Sequence, residues 1–132
     1  MFFERLTGEQ KKMLLGMAYS VAVSDGEMSE EEKSMLARIG HEMNIGNEHS
    51  FEYVNIESVR SLFKEQATRT IALITLIKIG FADQAYEIEE QCYIDDIRRE
   101  LGFSDGDFNR ITDWVKRLVS LEGEIRKYLG NS

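Results

Sequence analysis

The sequence predicts an all-α fold, a helical bundle of about six helices in one domain spanning residues 1–132. Three observations point there. Proline is absent, and Glu, Lys, Leu, Ile, Met and Arg, which favour helices, dominate. Apolar side chains recur at three- and four-residue spacing in segment after segment. No segment shows the strict alternation of a half-buried strand. With 42% apolar and 30% charged residues the chain reads as globular. Its length can bury a core without staples.

Each helix has its own signature. Thr7 with Gln10 forms a capping-box pattern that opens the first helix. The stripe Met13, Leu14, Met17, Ala18 and Val21 carries it toward Ser24, and Gly26 can take a positive φ just beyond. Ser29 opens the second helix, with Met35, Leu36, Ile39 and Met43 inward and Asn44 and Gly46 at its close. Ile56, Val59, Leu62 and Phe63 mark a short third helix. "TRTIALITLIKIGFA" is apolar almost all round, as a central buried helix is. Ile94, Ile97 and Leu101 give the fifth helix its inner face. Ser104 with Asp107 opens the last, whose stripe is Phe108, Ile111, Val115, Leu118, Ile125 and Leu129, widened by Trp114 and Leu121.

Bulk charge narrows the function. The net charge is −8, with no basic cluster of the kind that displaces counterions from nucleic acid. An anionic membrane surface is disfavoured on the same ground. The longest apolar run, 71–82, is interrupted by Thr75 and Lys78 and is too short to span a bilayer. Cys92 is the one cysteine, so no disulfide framework exists, and a reducing compartment follows. Early charges in "MFFERLTGEQKK" do not fit a secretory signal. The expectation is a soluble cytoplasmic protein.

The most informative stretch is "AVSDGEMSEEE", 22–32, and its worn copy is "FADQAYEIEE", 81–90. A shift of 58 positions aligns the halves: Asp25 falls on Asp83, Glu32 on Glu90, Ile39 on Ile97, Glu42 on Glu100 and Met43 on Leu101. Two copies suit a pair of pseudo-symmetric helical hairpins better than a solenoid. Helical spacing places positions 28, 32, 35/36, 39 and 43 inward, and likewise 86, 90, 94, 97 and 101. Glu32 and Glu90 therefore both sit on apolar stripes. A buried carboxylate needs a partner, a hydrogen bond or a metal.

Two readings of this constellation stand side by side. In the first, Asp25, Glu32, Asp83 and Glu90 form a site for a hard divalent cation such as Ca²⁺, Mg²⁺ or Mn²⁺. In the second, Ser29-x-x-Glu32 is only a capping box, and acidic first turns only complement the helix dipole. The second half lacks Ser or Thr three residues before Glu90, so there capping needs another partner, with Lys78 a candidate. On the residues alone the capping reading stands slightly ahead.

Other sites fail on spacing. An EF-hand loop starting at Asp25 needs Gly at its sixth position and Glu at its twelfth, where Glu30 and Leu36 stand. Neither His41 nor His49 has a Glu three residues before it, which a di-iron bundle requires. There is no Cys/His cluster for zinc, no phosphate loop and no nucleophile elbow. His41 and His49 read as surface residues, Cys92 as a buried small side chain, and Met13, Met17, Met35 and Met43 as core filler.

With these motifs, "AVSDGEMSEEE", "MLARIGHEMNI" and the degenerate second copy ending in "IRRELGFSDGDFNRI", the chain resembles the TerB-like family, named for a tellurite-resistance protein. The resemblance covers roughly residues 13–114. It implies an all-helical, internally pseudo-symmetric fold and a metal site at Asp25, Glu32, Asp83 and Glu90. It also implies a link to tellurite and general stress resistance in bacteria. Related domains precede membrane-anchored J-domain co-chaperones, but this chain has no His-Pro-Asp motif. Gln84, where the first copy has Gly26, departs from the pattern and weakens the expectation of a symmetric second turn. The expectation is a non-enzymatic metal-binding module, with a protein partner in a stress-response assembly. The alternatives are an acidic interaction module without metal, and, more weakly, a metal-dependent hydrolase using the same carboxylates.

Overall fold

The computed structural model describes residues 2–24, 26, 28–45, 56–82 and 88–130, and in these the chain is an all-α bundle with no strand. After a 3₁₀ turn at Phe3–Arg5 come α1 (Gly8–Ala22), α2 (Glu30–Glu42), α3 (Ile56–Leu62), α4 (Gln66–Gly80), α5 (Ile88–Glu100) and α6 (Asp105–Leu129). Asp25, Gly46, His49, Asp83, Gln84 and Tyr86 lie outside the described residues.

The helix starts are written in the caps. Thr7 accepts from the Gln10 N–H at 3.1 Å, and the Gln10 side chain accepts from the Thr7 N–H at 2.9 Å. The same reciprocal pair links Ser29 and Glu32. Ser104 accepts from the Asp107 N–H at 3.1 Å, while the Asp107 carboxylate turns to Arg110. Each of these caps satisfies N–H groups that a helix start leaves orphaned.

Two central helices organise the rest. α1 and α4 pack on each other; α2 and α5 each lean on both, α3 packs on α1 and α5, and α6 on α4. Leu14, Met17, Ala18, Leu73, Leu76 and Ile77 are sealed between them. α4 is apolar on nearly every face, as its sequence indicates, and its two buried threonines are satisfied within the helix. Thr75 donates to the Ile71 carbonyl at 2.8 Å and Thr68 to the Glu65 carbonyl at 3.0 Å. That is how a polar side chain survives in such a core.

The helix limits repeat with the sequence. α1 and α4 each have 15 residues and begin 58 positions apart, at Gly8 and Gln66. α2 and α5 each have 13 and also begin 58 apart, at Glu30 and Ile88. Their exits correspond too. After α2 the Ile45 N–H donates to the Gly40 carbonyl, and after α5 the Phe103 N–H donates to the Arg98 carbonyl. The residue at each turn, Asn44 (φ 58°) or Gly102 (φ 84°), takes the left-handed conformation.

α6 departs from the expected burial. Its stripe exists, but only Val115 is buried; Phe108, Ile111 and Val119 pack partly against the core. Beyond them Leu121 is 60% exposed, Ile125 53%, Tyr128 87% and Leu129 65%, so the far half of this 25-residue helix buries little apolar surface. Spacing fixes the phase of a stripe; it does not supply a surface to cover it. Among the methionines, Met17 and Met43 are fully buried, and Met13 and Met35 partly so.

Candidate functional site

Glu32 and Glu90 are the focus of the molecule. Each is the third residue of a 13-residue helix, and each is 1% exposed. The inward positions around them are as the spacing indicates: Leu36, Ile39 and Met43 are buried on α2, and Ile94, Ile97 and Leu101 on α5 or at its end. In α2 one turn of helix thus carries Glu32 from the solvent-facing acidic start into the apolar interior. The exposed neighbours Glu30 and Glu31 show the contrast on the same turn.

Glu32 Oε1 accepts from the Ser29 N–H at 2.9 Å, and the Glu32 N–H donates to Ser29 Oγ at 3.1 Å. Its second oxygen, like Oε2 of Glu90, is shielded from solvent. The Lys78 ammonium pairs with Glu122 of α6, 3.1 Å from Oε1 and 3.2 Å from Oε2. Lys78 points from α4 toward α6, and the ion pair ties those two helices.

Asp25 and Asp83 complete the expected ligand set in sequence but lie outside the described residues. α1 ends at Ala22 and α4 at Gly80, so each aspartate follows its helix by three positions. Among the described residues no group of three or more His, Cys, Asp or Glu side chains is gathered as a metal site. Two of the four carboxylates are thus placed, both buried, each at the third position of its helix. Carboxylate oxygens suit hard cations, and a capping contact uses one acceptor position of the several a carboxylate offers.

No family model, curated protein or solved structure matches the chain. The family resemblance therefore stands on the sequence motifs alone.

Of three residues outside this pair, His41 lies on the surface as its context suggests, while Cys92 and Arg98 do not follow theirs. Cys92 is exposed and not a core side chain. Two positions beyond Glu90, it sits about 200° round the helix from the inward face. His41 is exposed, in the last turn of α2. Arg98 is buried at 9% exposure and is the centre of a polar knot. Its guanidinium donates to Asp95 at 2.8 Å, to Asp105 at 2.5 Å and to the Phe103 carbonyl at 3.1 Å, and lies 5.4 Å from the Phe108 ring centre. Hydrogen bonding to Asp95 first, and then the attraction of Asp105, raise its pKa against the cost of burial. The signal was present, since 98 is one turn beyond the inward Ile94 and Asp95 is three residues before it.

A surface groove of about 540 Å³ runs beside this knot, lined by Phe81, Cys92, Asp95, Phe108, Thr112 and Lys116. Its charged groups are committed elsewhere: Asp95 holds Arg98 and Arg99, and Lys116 stands over the Phe81 ring at 5.9 Å.

Proposed function

We propose that the protein is a non-enzymatic, TerB-like helical module that binds a divalent cation such as Ca²⁺, Mg²⁺ or Mn²⁺ through Asp25, Glu32, Asp83 and Glu90. The observation that carries this reading is the matched burial of Glu32 and Glu90, each 1% exposed at the third position of helices starting 58 residues apart. Capping alone does not call for it. The chain's own Thr7 box works with glutamine at the same position, so a cap does not require a buried charge. The matched helix limits support reading the hairpins as two copies of one unit, each contributing an Asp and a Glu. The TerB-like motifs add the link to tellurite and stress resistance, with action through a protein partner.

The Ser29–Glu32 capping box favours a second reading, in which the acidic residues are structural and the module binds a basic partner without metal. Calorimetric titration of the chelator-stripped protein with Ca²⁺, Mg²⁺, Mn²⁺ and Zn²⁺ separates them. The first reading expects saturable binding that Glu32→Gln and Glu90→Gln each abolish. An absence of binding, with both variants merely altered in stability, would select the second.

A further inference from the structure

The apolar face that α6 leaves uncovered has a regular pattern. Trp114, Leu118, Leu121, Ile125 and Tyr128 follow one another at spacings of 4, 3, 4 and 3, the a/d alternation of a two-helix seam. All but the half-buried Leu118 are exposed. The seam is distinct from the core stripe. Taking Val115 as the centre of the buried face, a rotation of about 100° per residue puts the seam roughly a quarter-turn round the helix. It spans about 21 Å at 1.5 Å per residue.

The flanking charges select what covers it. Arg117 and Glu124 lie on one edge of the seam, one heptad apart, and both are exposed. Neither forms a salt bridge within the chain among the described residues. When two such helices run antiparallel with Leu118 against Leu121 of the other copy, Trp114 meets the other copy's Ile125. In that register Arg117 falls beside the other copy's Glu124, and the two-fold axis makes the same pair again. A parallel pair would set Arg117 against Glu122 of the other copy, and Glu122 is already held by Lys78 at 3.1 Å. The seam and its charges are therefore self-complementary in the antiparallel sense, as a two-fold contact requires.

We infer that α6 is a dimerisation helix, pairing antiparallel with α6 of a second copy of this chain through the seam from Trp114 to Ile125, with Tyr128 at its margin. The contact is short, so association is weak and reversible, and it needs chain concentrations of about 100 µM to be well populated. It is independent of the carboxylate site and of whether metal binds there.

Sedimentation equilibrium of the full chain tests this from about 10 to 300 µM, a range chosen for a weak contact. The expected result is a concentration-dependent rise toward twice the chain mass, abolished by Leu121→Glu. Arg117→Glu alone and Glu124→Arg alone each set like charges together twice and weaken the dimer about tenfold. The double variant Arg117→Glu/Glu124→Arg restores it. All these side chains are exposed, and unchanged far-UV circular dichroism confirms that the variants fold. A monomer throughout the range would overturn the inference and leave the face to another partner. So would a Glu124→Arg variant that dimerises normally, or a double variant no tighter than the single ones.

Discussion

Ser29 and Glu32 hold each other so closely that cap and carboxylate can be separated only by chemistry. Glutamine keeps the oxygen that accepts the Ser29 N–H but cannot carry charge. Glu32→Gln should therefore leave the unfolding free energy in a urea titration unchanged within about 0.5 kcal/mol, while removing any metal binding. Ser29→Ala should do the reverse and cost about 1 kcal/mol in a urea titration, with ion affinity largely kept. Arg98 is a second lever. It is almost buried, but Asp105 is 85% exposed at the side chain, so the full cost of an unpaired buried charge does not apply. Arg98→Met should destabilise by about 2 kcal/mol, chiefly by freeing the start of α6 from the end of α5. Its raised pKa keeps its contribution in place at every pH below the ordinary arginine value and loses it only in strong alkali. No stability change near neutral pH should arise from Arg98. At this scale the sequence was legible where spacing alone decides, as for Glu32 and Glu90. It misleads where residue type competes with spacing: free cysteines are often buried, yet Cys92 faces solvent, and charged residues seldom are, yet Arg98 is buried.

The helices were the most legible level. Caps at Thr7, Ser29 and Ser104 mark three starts, and the left-handed Asn44 and Gly102 close α2 and α5. That pair gives a clean comparison, because the same turn is built once with asparagine and once with glycine. Gly102→Ala should cost about 1 kcal/mol, since a Cβ strains a left-handed residue even though nothing crowds the position. Asn44→Gly should be neutral or stabilising by a few tenths of a kcal/mol, read from the same thermal melts. α6 shows the limit of this level. Its stripe is visible in the sequence for its whole length, yet half of it meets solvent. A period of 3.6 says which side chains share a face and nothing about what stands opposite.

At the scale of the whole molecule, α1 and α4 join all the other helices: both pack on α2 and α5, α1 also on α3, and α4 also on α6. The bundle should therefore unfold as one unit. Leu73→Ala, at a fully buried position, should cost about 3 kcal/mol. Fluorescence of Trp114 on α6 and circular dichroism of all the helices should shift together in urea. Separate transitions would mean that the hairpins are independent. The offset of 58 was visible in the sequence because apolar and acidic positions repeat together. Where Asp25 and Asp83 stand was not, since residue spacing beyond the end of a helix does not fix the direction of a side chain. One consequence of the outward-facing Cys92 remains. With a single thiol in the chain, and that thiol on the solvent side of α5, a maleimide dye should attach at one place per molecule and leave the core untouched. The protein thus offers reagents a single address, from which a fluorophore can report on neighbouring chains or arriving partners without an engineered cysteine.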